Sequence, residues 1–304
     1  MHQDLATGRQ ALARNAAALE LGGFVSHELE SSLLKGARLV LLQLPKALAE
    51  LEEIADAVAR WAAPDVVIVA GGRVKHMTLA QNEVLGRSFA QVQAQRAERK
   101  SRLIVAAGPL TVSAEPPYPQ WSEHPEFGLR LAAHGGAFAA SRIDIGTRVL
   151  LEVLGEQREG STDVIDLGCG TGALAAYYAL THPEAGVTAT DRSAAAVASA
   201  RATIIANGVA DRVKVTHDDA GSALSDGSAD LILLNPPFHL GASVHTGAAT
   251  RLFEASARLL KPGGALLTVF NSSLSYRPEL TRLIGPTEQL HRTPKFTVTR
   301  SIRR

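Results

Sequence analysis

The chain has 304 residues, of which 46% are hydrophobic and 20% are charged, and its formal net charge is +1. The length favours two domains, and the balanced charge gives no general attraction for nucleic acids, so that any RNA contact would depend on local basic patches. The single cysteine, Cys169, excludes a disulfide framework and favours the reducing cytoplasm, while no apolar run approaches the roughly 18 residues of a membrane helix.

Hydrophobic periodicity predicts alternating helices and strands in the first third of the chain. A helix is expected over residues 1–23, where Gly22 and Gly23 end it. The predicted strands are residues 37–46, 65–70 and 101–107, and the predicted helices are residues 47–61 and 77–87.

Residues 111–135 are rich in proline, glycine, histidine and aromatic residues, a composition that favours a linker. We therefore predict a first α/β domain at residues 1–110 and a second at residues 136–304. An apolar helical stretch, residues 149–154, leads into the most informative motif of the chain.

That motif is a glycine loop, in which an apolar run, residues 163–167, precedes Gly168, Gly170 and Gly172 and a helical stretch follows. Glycines at this spacing let the backbone turn sharply and approach a ligand closely. A strand, a glycine turn and a helix in this order predict a nucleotide-like ligand at the end of the strand, and Cys169 is expected to be a small spacer within the loop.

The acids beside the loop decide between ligands. Asp163 and Asp166 would repel the pyrophosphate of a dinucleotide. They suit S-adenosylmethionine, which carries a sulfonium and an ammonium group and no phosphate. We therefore predict an S-adenosylmethionine site, with Asp166 facing the methionine end.

Further carboxylates are expected around this cofactor. Asp191 ends the next predicted strand and would accept both ribose hydroxyls, with Arg192 beside it, although a helix cap is the alternative. Asp219 would accept from the adenine amine, with Asp218 as the alternative. Asp144 is expected near the amino group of the cofactor, unless it only caps a helix.

A second motif begins where an apolar strand ends at Asn235 and continues as Pro236, Pro237 and Phe238. The two prolines stiffen the chain and remove two N–H donors, so the backbone offers carbonyls there. The Asn235 side chain and the Pro236 carbonyl would accept both hydrogens of a planar exocyclic amine, and Phe238 would stack on the ring that carries it. Together the two motifs predict an S-adenosylmethionine-dependent N-methyltransferase.

The C-terminal part repeats the pattern of the first domain. Residues 229–238 line up residue for residue with residues 37–46, so that Gln43 stands where Asn235 is. Further matches are residues 247–260 with 47–61, 263–270 with 64–70, and 295–300 with 100–105. We infer two copies of one fold. The first copy has no glycine loop and no counterpart of Asn235–Phe238, which we call the amine clamp. The alternative is a general likeness between α/β segments.

These motifs resemble the two-domain bacterial ribosomal RNA guanine-N2 methyltransferases, namely the small-subunit methyltransferase C and large-subunit methyltransferase G families. The resemblance covers most of residues 9–302. The segments that carry it are Asn235–Gly241, Phe138 with Ala139, Ile143 with Asp144, Phe270 with Asn271, Lys295 with Phe296, and Gly71–Met77.

The resemblance implies two tandem Rossmann-like class I methyltransferase domains. The first would be degenerate and truncated and would help to bind RNA, while the second would hold a seven-stranded, mostly parallel sheet closed by a hairpin at residues 289–302. The methyl acceptor would be the N2 amine of a guanine in ribosomal RNA or a ribosomal subunit. The expected RNA contacts are Phe238, His239, Arg73, Lys75 and Lys295.

Two departures from the family pattern affect these expectations. Ala139 replaces the usual serine and removes its hydroxyl. Residue 1 already matches the region of the second strand of the first domain, so we expect either an earlier true start or a trimmed domain.

Several alternatives remain open at this point. The amine clamp also suits adenine N6 and the side-chain amide of a protein glutamine, and a non-catalytic RNA-binding or ribosome-assembly protein is the alternative of another class. No metal site is expected, because no cluster has metal-ligand spacing. We expect a cytoplasmic monomer, and the sequence selects neither the ribosomal subunit, nor the guanine, nor naked RNA over an assembled particle.

Overall fold

A computed structural model describes residues 1–138, 140–156, 161–237 and 246–304. The chain divides into two units, the first with residues 1–4, 8–120 and 134–136, and the second with residues 5–7, 121–133 and 137–304. The helices are α1 Ala6–Ala18, α2 Ser31–Leu34, α3 Leu48–Trp61, α4 Leu79–Gly86, α5 Ile145–Glu156, α6 Ala173–Thr181, α7 Ala194–Ala206, α8 Thr246–Leu259 and α9 Arg277–Leu283, with a short 3-10 helix at Val74–His76. The strands are β1 Leu39–Gln43, β2 Val67–Arg73, β3 Phe89–Ala94, β4 Ser101–Pro109, β5 Gln120–His124, β6 Leu129–Ala133, β7 Asp163–Leu167, β8 Gly186–Asp191, β9 Val213–His217, β10 Ala229–Leu234, β11 Leu260–Asn271, β12 Thr287–Arg292 and β13 Phe296–Ile302.

The first unit contains a four-stranded sheet in the order β1-β2-β4-β3, in which only β1 and β2 run parallel. Leu51, Ala55 and Val58 recur on one face of α3 and are buried in its core, as expected for an amphipathic helix. The other face of the sheet exposes Leu39 and Leu41. The predicted strands and helices are present, whereas β3 was not predicted.

The second unit contains a seven-stranded sheet in the order β12-β13-β11-β10-β7-β8-β9. The five strands from β11 to β9 are parallel, and β13 and β12 form the antiparallel hairpin at the edge. This confirms the predicted seven-stranded, mostly parallel sheet. Strand β10 is buried on both faces because separate clusters of apolar side chains cover its two sides.

Part of the predicted linker is regular structure, because β5 and β6 pair as a two-stranded sheet. Within the second unit, Leu131 is fully buried in the core, and the amide of Ala132 donates to the Thr203 hydroxyl at 3.0 Å. Asn207 accepts from the amide of Arg130 at 3.0 Å and donates to its carbonyl at 2.7 Å. These bonds attach the hairpin to α7.

The internal repeat is visible in the strand connectivity. The order β10-β11-β13-β12 in the second unit reproduces the order β1-β2-β4-β3 in the first, with the same parallel and antiparallel directions. The pairing corrects one sequence match, since Leu39 pairs with Val67 and the corresponding Leu231 pairs with Ala265, whereas matching residues 263–270 with 64–70 from their first residues places Leu266 opposite Val67. The two units therefore share one half-sheet.

Candidate functional site

A cavity of about 380 Å³ lies in the second unit, beyond the carboxyl ends of β7, β8 and β10. Open α/β sheets bind ligands at this end, and the volume suits a small organic molecule. The lining residues that the argument uses come from the segment before α5, the glycine loop, the ends of the strands and helix α8. They are Phe138, Arg142, Asp144, Thr147, Gly168, Cys169, Gly170, Asp191, Arg192, Asp218, Asp219, Asn235, Pro236, Pro237 and Arg251.

The glycines of the loop have two different roles. Gly168 and Gly170 have φ values of 78° and 54°, and a Cβ atom at either position would meet nothing within 4 Å. They therefore leave open space where side chains would otherwise stand. Gly172, with a φ of 79°, lets α6 approach α7, because its Cβ would lie 3.0 Å from the Cβ of Ala200.

Asp191 joins the end of β8 to the glycine loop. Its Oδ2 accepts from the amide of Gly170 at 3.0 Å, and its Oδ1 accepts from the amide of Ser193 at 2.9 Å. The carboxylate is therefore held at the carboxyl end of β8, at the wall of the cavity. The neighbouring Arg192 lines the cavity, and its carbonyl accepts from the amide of Ala6 at 2.8 Å.

Asp166 lies beneath the loop, 1% exposed, and accepts from the amide of Ala175 at 3.0 Å. Burial, assisted by the charge of Asp191, raises its pKa to about 7. Asp166 is not among the described residues that line the cavity, so its expected contact with the methionine end of the cofactor stays a prediction. Burial likewise raises the pKa of Cys169, whose thiol is consistent with a small spacer.

Asp163 does not lie beside the loop, contrary to expectation. It begins β7, at the opposite end of the strand from the glycines, and pairs with Lys261 at 2.7 Å. The five residues of β7 separate the two ends by roughly 13 Å. The argument that acids beside the loop repel the pyrophosphate of a dinucleotide therefore depends on Asp166 alone.

Asp218 and Asp219 both line the cavity but differ in their partners. Asp218 accepts from the amides of Asp219 and Ala223, both at 2.8 Å, and from the Ser222 hydroxyl at 2.6 Å, so it closes the turn that follows β9. Asp219 pairs with Arg251, which α8 supplies. No local sequence pattern indicated Arg251, because its contact with Asp219 spans 32 residues.

Asn235 follows β10 and is held by two residues at the start of α5. Its Nδ2 donates to the Thr147 hydroxyl at 2.9 Å and to Oδ2 of Asp144 at 3.1 Å. Its Oδ1 is buried and has no hydrogen-bond partner among the described residues. Asp144 also caps α5, because the same oxygen accepts from the amides of Gly146 and Thr147 at 3.0 and 3.3 Å.

The remaining predicted residues fall into three groups. Pro236 is buried and Pro237 is exposed, and both line the cavity. Phe238 and His239 lie outside the described residues. Arg73 and Lys75 of the first unit and Lys295 of the second are exposed and do not line the cavity.

Two residues at the cavity edge add to the predicted set. Phe138 is 73% exposed, which is high for an aromatic side chain, and Arg142 is also exposed. Phe138 belonged to a motif of the family resemblance, whereas Arg142 had no signal. No described helix is both long and apolar enough to cross a bilayer. Within the described ranges, no group of three His, Cys, Asp or Glu side chains is arranged to hold a metal ion.

Comparison with known proteins identifies two family matches. The family called Methyltransferase small domain matches residues 128–300, and the family called RLMG N-terminal domain matches residues 1–110. Ribosomal RNA large subunit methyltransferase G of Pseudomonas putida (strain W619) is 38% identical over 260 residues, which cover 85% of this chain and 69% of that protein. The Streptomyces coelicolor protein of the same name is 36% identical over 273 residues, which cover 87% and 71%.

One solved structure resembles the whole chain. It is the Thermus thermophilus (T. Thermophilus) 16S rRNA N2 G1207 methyltransferase (RsmC) in complex with AdoMet and guanosine, with a TM-score of 0.79 and 24% identity over 100% of this chain and 81% of that chain. At this identity the likeness shows the shared fold.

Proposed function

The chain belongs to the ribosomal RNA large subunit methyltransferase G family, and we propose that it transfers a methyl group from S-adenosylmethionine to the exocyclic N2 amine of a guanine in ribosomal RNA. One observation carries the choice of an amine acceptor. Asn235 lines the ligand-sized cavity, and its Oδ1 is a buried acceptor without a partner among the described residues. A buried acceptor of this kind is costly unless a ligand donor satisfies it.

The residues around the cavity fit S-adenosylmethionine. Gly168 and Gly170 leave open space that side chains would fill, and Asp191 lies at the cavity wall, where its carboxylate is proposed to accept from the ribose hydroxyls. When bound, S-adenosylmethionine supplies an electrophilic methyl group. The proposed cofactor residues are Asp144, Asp166, Gly168, Cys169, Gly170, Gly172, Asp191, Arg192, Asp218, Asp219 and Asn235.

The role of Asn235 follows from its hydrogen bonds. The lone pair of a guanine amine is delocalised into the ring, which makes the amine a poor nucleophile. Asn235 Oδ1 and the Pro236 carbonyl would accept its two hydrogens. They would stabilise the positive charge that develops on nitrogen as its bond to the methyl carbon forms and the bond from that carbon to the sulfonium sulfur breaks. The nitrogen then releases one of the two hydrogens as a proton. The site therefore contributes placement and electrostatics more than a strong base.

The adenine end of the cofactor depends on Asp219. Asp218 accepts three hydrogen bonds within the turn that it closes, whereas Asp219 has Arg251 as its partner. We propose that Asp219 accepts from the adenine amine. Asp218 would keep the turn in place.

The acceptor base is proposed to leave its stack and enter the cavity from the edge where Phe138 and Arg142 lie. An exposed aromatic ring offers a stacking surface for a base, and an exposed guanidinium suits a phosphate. Phe238, His239, Arg73, Lys75 and Lys295 remain proposed RNA contacts. We also propose that the enzyme acts in the cytoplasm as a monomer, which sedimentation analysis of the purified protein tests.

Methylation of unmodified ribosomal RNA by the purified protein tests the function. With labelled S-adenosylmethionine, the expected product after digestion to nucleosides is N2-methylguanosine, identified by mass spectrometry. Labelled N6-methyladenosine in RNA, or methylglutamine in ribosomal protein, would instead assign the amine clamp to another acceptor. Labelling of neither RNA nor protein would contradict the proposal.

A further inference from the structure

The turn before helix α5 orients the amide of Asn235. Asp144 Oδ2 accepts from the amides of Gly146 and Thr147, so its position is fixed by the first turn of the helix. The same oxygen accepts from Asn235 Nδ2 at 3.1 Å, and the Thr147 hydroxyl accepts from Nδ2 at 2.9 Å. An element 88 residues earlier in the chain therefore holds the residue at the end of β10.

The two acceptors determine which atom of the amide faces the ligand. An ionised carboxylate only accepts, so the atom of Asn235 next to Asp144 is the nitrogen. Both hydrogens of Nδ2 are then used, and Oδ1 is left as the single polar atom of the side chain without a partner among the described residues. Held in this way, the clamp presents only an acceptor.

Gly146 makes this arrangement possible. A Cβ atom at position 146 would lie 3.1 Å from Asp144 Oδ2 and 3.1 Å from Cε1 of Phe296. Both distances are shorter than ordinary van der Waals contact, so a side chain would displace the carboxylate or the ring. The absence of a side chain keeps the carboxylate within reach of Asn235.

We propose that Thr147 is a positioning residue that, together with Asp144, holds Asn235 Nδ2 and thereby aims Oδ1 at the acceptor amine. This inference rests on the proposed function of the site. Without the Thr147 hydroxyl, Asp144 alone holds Nδ2, and the amide pivots about its last side-chain bond. The clamp then also presents a donor, so it no longer favours an amine over a carbonyl or hydroxyl group.

Matched variants at one position test the proposal. Thr147→Val keeps the shape and removes the hydroxyl, Thr147→Ser keeps the hydroxyl, and Thr281→Val removes a hydroxyl that donates to the Arg277 carbonyl on α9. Loss of the hydrogen bond from Asn235 Nδ2 to the Thr147 hydroxyl is expected to lower kcat of Thr147→Val about tenfold. Thr147→Ser and Thr281→Val are expected to retain wild-type kcat. The KM for RNA and the calorimetric affinity for S-adenosylmethionine are expected to stay near wild type in all three.

A second readout needs no turnover. In the ligand-free protein, the side-chain amide signal of Asn235, identified by its loss in Asn235→Ala, is expected to show slow hydrogen exchange. In Thr147→Val the exchange of that signal is expected to accelerate, while Thr147→Ser retains the slow rate. If Thr147→Val does not fold, Thr147→Cys replaces it, since a thiol is a weak acceptor of similar size.

Three outcomes would overturn the proposal: unchanged kcat and exchange in Thr147→Val, no rescue by Thr147→Ser, or a matching loss of cofactor affinity that marks a general structural role. Failure of the proposed function is distinguishable. If the wild type methylates adenine or glutamine instead of guanine, the proposed guanine specificity is wrong. The Thr147 variants are then compared on the acceptor that is methylated, and the positioning role of Thr147 is still tested.

Discussion

The half-sheet that occurs twice in this chain has opposite surroundings in its two copies. Leu41 in β1 is 76% exposed, whereas the corresponding Leu233 in β10 is fully buried. The difference arises because β10 pairs with β7 and is covered on both faces, while β1 is the edge strand of its sheet among the described residues.

The strand ends differ in the same way. Gln43 ends β1 and is exposed, whereas Asn235 follows β10 and is held by Asp144 and Thr147. The glycine loop that ends β7 and the first turn of α5 belong to the second unit alone among the described elements. The half-sheet is therefore a scaffold, and the neighbouring strand β7 and helix α5 make it a site.

The largest effect is expected where the two copies exchange their strand-end residue. Asn235→Gln places the residue of the first copy in the second and moves the amide by one methylene, so methyl transfer should fall by about 100-fold or more. The reverse exchange, Gln43→Asn, should leave activity unchanged. Rates of methyl incorporation at saturating cofactor measure both, and activity retained in Asn235→Gln would show that the clamp is not the reacting element.

Removal of the same side chain from the two strands should affect stability unequally. Leu233→Ala leaves a cavity in a closed core and should lower the free energy of unfolding by about 2–5 kcal/mol. Leu41→Ala removes an exposed side chain and should change it by less than about 0.5 kcal/mol. Denaturant titration followed by circular dichroism provides both values, and equal losses would mean that β1 is covered in solution.

The pH dependence of stability is a further difference to measure, because the second unit contains the buried carboxyl group of Asp166 and the first contains the partly buried one of Glu50. Burial raises the pKa of Asp166 to about 7, and burial with the charges of Asp4 and Glu53 raises that of Glu50 to about 7. Their protonated forms are favoured in the folded protein. Their stabilisation is therefore complete below the ordinary carboxyl pKa of about 4 and is lost as the pH rises to about 7.

Unfolding free energies between about pH 4 and pH 8 measure this dependence. Asp166→Asn should remove the pH dependence that the second unit contributes, and Glu50→Gln should remove the pH dependence that the first unit contributes. A slope unchanged in Asp166→Asn would show that its carboxyl is ionised throughout this range.

The smallest effect is expected from a pair of glycines with nearly the same φ angle. Gly168 and Gly36 have φ values of 78° and 77°, and a Cβ at either would meet nothing within 4 Å. Substitution by alanine should cause similar backbone strain of about 1 kcal/mol at each. Only Gly168→Ala should also weaken S-adenosylmethionine binding, by about tenfold, because its Cβ enters the cavity. Calorimetry measures the affinity of the two alanine variants for S-adenosylmethionine, and equal affinities would place the cofactor away from the loop.

Local patterns in the sequence predicted the parts of the site that one segment determines. The glycine loop, Asp191 and Asn235 all line the cavity, because each follows a strand of one parallel sheet. Asp163 was placed wrongly, since closeness in sequence to the loop ignored the length of β7.

Residues that reach the site from other elements had no local signal. Thr147 and Arg251 lie on helices whose apolar faces predict their packing but not the partners of their polar side chains. Strand β3 was missed because Phe89–Ala94 contains two alanines and two glutamines, so that only Phe89 and Val92 are side chains typical of strands. The hairpin of β5 and β6 was missed because its proline-rich neighbourhood resembles a loop.

Nucleoside mass spectrometry of ribosomal RNA, separated by subunit, from cells that lack this protein tests whether it methylates guanine N2. We predict that N2-methylguanosine is lost from one subunit and restored by the wild-type gene but not by Asn235→Ala. An unchanged N2-methylguanosine content in both subunits would contradict the guanine assignment.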